Sequence, residues 1–388
     1  MNADRINQLL GLVVDLLDIP ASHYAKAKER YESLGRWLHR DGSPVGALSP
    51  AVYAQGSFRL GTVIRPLLKR EEYDLDLVCE ITLSKIDATQ KHVKELVGGE
   101  VKSYADAHGI KEPVAEGNRC WRLDYADDVR FHEDVLPAIP EDQAVKAVLC
   151  GRGVPASVVG HSICITDRRH PRFAVITPDW FLSNPKGYAL WFEDRMRPAA
   201  RAVLESLVRN RVYASVDDVP AYEWKTPLQR AVQLLKRHRD VMFKNDPDCK
   251  PISIIITTLA ARAYAGETDL YATLKSVVEQ MPRLVNDRPP RVPNPVNPAE
   301  DFADKWAKNP QLERNFEHWC AQLQTDLRRL RELASVGETR ESIESVFGAL
   351  VAVDELQSLG LERAETGVRE RAPSVVIKDA PRPWKHID

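Results

Sequence analysis

The sequence lacks several patterns that would place it in other classes of protein. Its six cysteines include no C-x-x-C pair and no histidines at zinc-ligand spacing, which argues against a zinc site or a disulfide framework and favours reduced thiols. The first residues lack a basic stretch followed by an apolar core, so secretion is not expected. No apolar run reaches the roughly 18 residues of a membrane span. These absences predict a cytoplasmic protein that does not enter a membrane.

Neither sign of charge is in excess. The 54 basic and 56 acidic residues leave a formal net charge of −2, so the composition gives no strong signal for nucleic acid or membrane binding. Any phosphate-binding surface must therefore be local. The 388 residues contain no visible internal repeat and predict two or three domains.

The spacing of apolar residues changes along the chain and predicts an α+β protein. Residues 5–18 and 22–39 have helical spacing. From residue 51 to about 180, short β-like runs alternate with turns and with one helical stretch over 87–107, which is typical of a mixed sheet. From Pro198 onward the spacing is helical again.

Two cap signatures predict where helices of the C-terminal part begin. Thr226 is followed by Pro227 and, three residues after the cap, by Gln229. Asn297 is expected to cap a second helix. The predicted division is a sheet-bearing lobe with the first helices over 1–195, a helical-bundle lobe over 196–358, and a flexible or peripherally docked tail over 359–388.

Two aspartates separated by one leucine follow a glycine–serine turn. If Asp74 and Asp76 lie on a strand, they point to the same face, about 6.5–7 Å apart. Carboxylates at that separation can hold two divalent cations about 3.5–4 Å apart, which suits in-line displacement at phosphorus. Ser57 and the backbone N–H groups around Gly56 are suited to binding a triphosphate. The alternative is an ordinary strand with two solvated aspartates.

Nucleotidyl transfer at such a site requires a third carboxylate, which bridges a metal and helps to deprotonate the attacking hydroxyl. On a strand, Asp134 shares a face with His132, whereas Glu133 points the other way. We expect the strand to end at Pro137 and prefer Asp134, the acid nearer that end, with Glu133 as the second choice. A solvated edge strand is the alternative for this stretch.

These segments together resemble the polymerase-beta-type nucleotidyltransferases. More narrowly they resemble the bacterial CD-NTases, relatives of animal cyclic GMP-AMP synthase and the oligoadenylate synthases. The shared segments are Gln55-Gly56-Ser57, Gly61-Thr62, Asp74-Leu75-Asp76 and His132-x-Asp134-Val135-Leu136-Pro137. For the bacterial group they are Asn184-Pro185-Lys186-Gly187-Tyr188, Trp191-Phe192, the helix Leu228–Arg239, Pro251-Ile252-Ser253 and Asn294–Phe302. The resemblance covers residues 51–306 and implies a bilobal polymerase-beta-like fold with its active site in the cleft.

The resemblance also implies roles for the shared residues. Asp74, Asp76 and Asp134 would be catalytic and would bind two Mg²⁺ ions, with Mn²⁺ as an alternative ion. The implied nucleotide-binding residues are Gln55, Gly56, Ser57, Lys236 and Tyr188. For Lys236 the alternative is a solvated helix lysine, and for Tyr188 it is a half-buried core aromatic.

The implied function is synthesis of a cyclic di- or trinucleotide second messenger from NTPs, ATP among them, with release of pyrophosphate. Such synthesis serves anti-phage (CBASS-type) signalling, with accessory proteins and an effector that the product activates. A linear oligonucleotide synthase or RNA-tailing nucleotidyltransferase is the first alternative, against which the near-neutral charge argues. A non-catalytic nucleotide-binding scaffold is the second, against which the three acids argue.

Overall fold

The computed structural model describes residues 1–67, 72–125, 131–209 and 225–361. In these ranges the chain has an α+β fold built on a seven-stranded mixed sheet, as the sequence predicts. The helices are α1 (Ala3–Leu17), α2 (Ala21–His39), α3 (Gly56–Leu60), α4 (Gln90–Ala107), α5 (Gln143–Gly151), α6 (Ala156–Val159), α7 (Pro185–Arg209), α8 (Pro227–Met242), α9 (Ser253–Ala263), α10 (Leu270–Gln280), α11 (Pro310–Arg329), α12 (Val336–Phe347) and α13 (Val353–Ser358). The strands are β1 (Ala51–Ala54), β2 (Tyr73–Glu80), β3 (Ala115–Glu116), β4 (Trp121–Tyr125), β5 (Phe131–Pro140), β6 (Ile163–Ile165), β7 (Phe181–Ser183), β8 (Pro293–Asn294) and β9 (Asn297–Asp301).

The sheet has the order β1-β2-β5-β4-β3, with β6 and β7 continuing from the second half of β5. Strands β2 and β5 are parallel, and the other pairings are antiparallel. The prediction that the strand carrying Asp134 ends at Pro137 is wrong, because β5 continues to Pro140. Pro137 lies where the strand that pairs with this edge of β5 changes from β4 to β6, since Val135 pairs with β4 and Ala138 pairs with β6. A proline without an N–H group is tolerated at such a gap.

Two hydrophobic cores support the site. One lies between the sheet and helices α2 and α4, and includes Leu75, Leu77 and Phe131. The other is helical, and α1 contributes its apolar face to it by packing against α8 and α10. The division at residue 195 stays a prediction. No helix in the described ranges is long and apolar enough to cross a membrane.

One of the two predicted helix starts is confirmed and the other is wrong. Thr226 and Gln229 form a capping box at the start of α8, each side chain accepting from the other residue's backbone N–H. Asn297 instead begins β9, which forms a hairpin with β8. The Asp301 carboxylate accepts backbone N–H bonds from Arg291 and Val292, which hold the hairpin ends together and oppose a helix there.

Gly98 and Gly99 in α4 provide a matched pair of stability variants. A Cβ atom on Gly98 would lie 2.1 Å from the ring of Trp121, which is 4% exposed and donates from its indole N–H to the Lys94 carbonyl. We expect Gly98→Ala to lower the free energy of unfolding by ~1–3 kcal/mol through overpacking. A Cβ atom on Gly99 would meet no atom within 4 Å, so Gly99→Ala should raise the free energy of unfolding by ~0.5–1 kcal/mol. Urea denaturation measures both, and equal effects would contradict the packing argument.

Candidate active site

Six polar residues from three adjacent strands share the face of the sheet that is turned away from the α2 and α4 core. The strands alternate polar and buried residues, as expected for strands with one face in a core. The pairing of β2, β5 and β4 arranges the polar residues in two rows across the sheet. One row is Asp74, His132 and Asp124, and the other is Asp76, Asp134 and Arg122.

Two basic side chains of this face contact the outer carboxylates. Arg122 donates from Nε to Oδ1 and from Nη2 to Oδ2 of Asp134, both at 2.8 Å. His132 contacts the Asp74 carboxylate through Nε2, and its Nδ1 lies 3.3 Å from the Glu72 carboxylate. The three predicted catalytic acids are therefore on one face, and two of them contact basic side chains.

The electrostatics of the three acids favour a bound cation. Burial, followed by repulsion from Asp74 and Asp134, raises the pKa of Asp76 to about 6. Burial opposes ionisation of Asp74 as well, but the contact with His132 outweighs it and lowers the pKa of that carboxyl. A divalent ion would relieve the repulsion at Asp76, so these residues fit a divalent metal.

The tightest group of metal-ligating atoms in the described ranges is a different one. Ligand atoms of Glu72, Asp124 and His132 lie within 4.8 Å of one another. The predicted trio does not converge as closely, because His132 and Arg122 bind its outer members. Asp74, Asp76 and Asp134 stay the predicted metal ligands.

The glycine–serine turn lies directly against Asp76. Gly56, the first residue of α3, has a φ of +62°, and a Cβ there would lie 2.4 Å from Oδ2 of Asp76. Gln55 precedes it and donates its backbone N–H to the Asp76 carbonyl at 2.8 Å. Ser57 follows and lines a cavity of about 780 Å³ together with Asp74 and His132. This volume is in the range of small-ligand sites.

Helix α8 forms another wall of this cavity and binds the backbone after the turn. Four side chains of one face of α8 donate to four carbonyl groups of the segment 60–65. The bonds run from Gln229 to Leu60 at 3.0 Å, from Lys236 to Thr62 at 3.0 Å, from Gln233 to Val63 at 2.7 Å, and from Arg237 to Arg65. The turn and the helical core are thus directly joined.

Lys236 lines the cavity but is not solvated. It is 6% exposed, and its Nζ also donates to the Thr62 hydroxyl at 3.1 Å. Burial, followed by the nearby Arg239, lowers the pKa of Lys236 to about 7. The alternative of a solvated helix lysine is therefore wrong, and the phosphate contact stays a prediction.

Two further residues considered from the sequence lie away from this face. Glu133 is fully buried in the sheet core, where Tyr125 donates to its Oε2 at 2.8 Å, and burial raises its pKa to about 7. Tyr188 is 7% exposed in the helical core and its hydroxyl lies 2.8 Å from that of Thr258. The structure does not bring Tyr188 to the acids, and its position matches the core-aromatic alternative.

The comparisons with known proteins agree with this site. A family model described as "Cyclic GMP-AMP synthase DncV-like, nucleotidyltransferase domain" matches residues 50–136, which contain the turn and all three acids. A c-di-GMP synthase from Roseivirga ehrenbergii is 29% identical over 378 residues, or 96% of this chain and 91% of the relative. These matches confirm the predicted resemblance to the bacterial CD-NTases.

A second relative and a solved structure agree with this resemblance. The cyclic dinucleotide synthase CdnG from Bradyrhizobium diazoefficiens is 26% identical over 322 residues, which are 79% of this chain and 71% of that protein. The structure of B. diazoefficiens CdnG in complex with GTP superposes with a TM-score of 0.64 at 23% identity, over 91% of this chain and 98% of that one. The shared fold confirms the predicted architecture, and membership of a nucleotidyltransferase family implies dependence on a divalent metal.

The sequence did not identify Arg122 or the α8 glutamines as parts of this site. A signal for Arg122 exists, because Arg122 and Asp124 alternate with the buried Trp121 and Leu123. That alternation predicts a shared face but not the partner strand. The pairing of β4 with β5 is what places Arg122 against Asp134.

Proposed function

We propose that this protein joins NTPs into a cyclic di- or trinucleotide by metal-dependent nucleotidyl transfer with release of pyrophosphate. The observation that carries the proposal is the placement of three carboxylates on one sheet face. Asp74, Ser57 and Lys236 line the same cavity. Asp76 lies two residues after Asp74 on β2, on the same face of the sheet. An anionic ligand for a metal and donors for phosphate oxygens thus line one cavity.

The proposed roles follow from the chemistry of each group. Asp74, Asp76 and Asp134 would hold two Mg²⁺ ions, which supply charge neutralisation at the transferring phosphoryl group. The backbone of Gln55 and Gly56 and the hydroxyl of Ser57 would bind the β- and γ-phosphates of the donor. Lys236 would reach those phosphates from α8 if its bonds to Thr62 are exchanged. Asp134 would accept the proton of the attacking hydroxyl.

The relatives support the choice of product. One is named a c-di-GMP synthase, another a cyclic dinucleotide synthase, and the CdnG structure contains GTP. We propose GTP as a substrate on this basis, in addition to the ATP expected from the sequence. We also propose that the product activates an effector, with accessory proteins, in anti-phage signalling.

Mass spectrometry of products formed from all four NTPs with Mg²⁺ tests the proposal. We expect a cyclic product that lacks a terminal phosphate and resists phosphatase, together with pyrophosphate. Linear products from which phosphatase removes terminal phosphates would favour the linear oligonucleotide synthase instead. Extension of added RNA would favour the tailing enzyme. Binding of NTPs without pyrophosphate release would favour the scaffold.

A further inference from the structure

We propose that Arg122 is a positioning residue that fixes the third carboxylate, Asp134, for metal binding and for acceptance of the attacking proton. The inference rests on the proposed function for its chemical meaning. Its basis is a bidentate pair between two residues that are register partners on adjacent strands. Arg122 is not among the site residues predicted from the sequence.

Two hydrogen bonds from Arg122 restrict the orientation of the Asp134 carboxylate. Arg122 donates from two nitrogens to both oxygens of Asp134, each at 2.8 Å, so the plane of the carboxylate follows the plane of the guanidinium. The backbone of Arg122 is held in place, because the neighbouring Trp121 is 4% exposed and packs in the sheet core. The Asp134 side chain therefore has one preferred orientation.

This pairing leaves Asp134 able to bind a metal. An ionised carboxylate has about four lone-pair sites, and the guanidinium uses two of them. Asp134 is the register partner of Asp76 on β2, so it lies on the same face as the other acids. Arg122 can stay bound to Asp134 while Asp134 acts.

Arg122 also lies on the opposite side of the acids from the residues proposed to bind the donor. The order of strands is β1, β2, β5 and β4, with the glycine–serine turn following β1 and Arg122 on β4. In an in-line displacement the attacking and leaving oxygens are on opposite sides of phosphorus. A change at Arg122 should therefore affect Asp134 and the acceptor side, and should leave donor binding nearly unchanged.

The test separates orientation from charge. Mn²⁺ is titrated calorimetrically into the full-length protein and its Arg122→Gln and Arg122→Lys variants, each with a fixed excess of a non-hydrolysable GTP analogue. Because Lys keeps the charge but cannot form the planar fork, both variants should bind Mn²⁺ about 10-fold or more weakly. Affinity for the analogue at saturating Mn²⁺ should change less than about 2-fold. Arg168→Gln removes an ion pair with Glu116 on the same lobe at 3.2 Å and should change neither affinity.

Several outcomes would overturn the proposal. Tighter Mn²⁺ binding by Arg122→Gln would mean that the arginine is only a counter-charge, since removing a cation then favours the metal. Wild-type affinity in Arg122→Lys would mean that charge without the fork is sufficient. Equal losses for Arg168→Gln would indicate a general effect on the fold. Failure of the wild type to form a cyclic product would reject the proposed function, whereas the Mn²⁺ titrations would still report on Arg122.

Discussion

Asp76→Asn should reduce nucleotidyl transfer by about 10³-fold or more while leaving the fold intact. Asp76 is the central acid, between Asp74 on its own strand and Asp134 across from it. Its loss removes one charge from the predicted metal site, where electrostatic stabilisation of the transferring phosphoryl group is concentrated. The rate of pyrophosphate release from NTPs with Mg²⁺ measures the effect.

The same variant should be more stable than the wild type when no metal is present. Burial and repulsion raise the Asp76 pKa from 3.8 to about 6, so the native state binds more protons than the unfolded chain between those values. The wild type therefore loses stability as the pH rises from about 4 to about 6, by up to about 3 kcal/mol. Asn does not ionise, so the advantage of Asp76→Asn should grow over that range and stay constant above it.

Comparing the variants by chemical denaturation in EDTA at pH 5 and pH 8 measures this stability. Asp106→Asn is a suitable control, because Asp106 is exposed on α4, away from the face that carries the three acids. If Asp76→Asn loses activity and stability together at pH 8, the loss of activity reflects unfolding. If Asp76→Asn retains wild-type turnover, Asp76 is not a metal ligand.

Gly56→Ala should reduce activity by about 100-fold or more. The new Cβ would lie 2.4 Å from Oδ2 of Asp76, so either the carboxylate or the turn must move. Displacements of about 1 Å in a catalytic group commonly cost this much in rate. Turnover should fall more than the affinity for the GTP analogue, because Asp76 is displaced while the Ser57 hydroxyl is retained.

Gly61→Ala is the matched control for this variant. Gly61 has a φ of +64°, nearly the same as the +62° of Gly56, so alanine causes similar backbone strain at both positions. Its Cβ would instead meet Nε2 of Gln229, the end of a flexible side chain. We expect less than about a 10-fold loss of turnover for Gly61→Ala. Equal losses in the two variants would indicate that strain in the turn, and not contact with Asp76, is responsible.

The sequence predicts the local features of this fold well and the long-range strand pairing poorly. The capping box of α8 is encoded within four residues, and the alternation in β2 and β5 correctly separates Asp134 from Glu133. Pairing between strands distant in sequence is not encoded locally. For that reason Arg122 was missed, and the role of Pro137 at a change of neighbours was not anticipated. At Asn297 a cap signature was overridden by hairpin contacts that Asp301 supplies from outside the motif.

The hydrogen bonds from α8 to the segment 60–65 leave the side chains of that segment free to vary. They end on main-chain carbonyl groups, which every amino acid provides, so they constrain the path of the segment but not its side chains. Val63, Ile64 and Arg65 line the cavity in which the nucleotide is proposed to bind. Substitutions at these positions can therefore alter which nucleotide is accepted while the catalytic turn keeps its place.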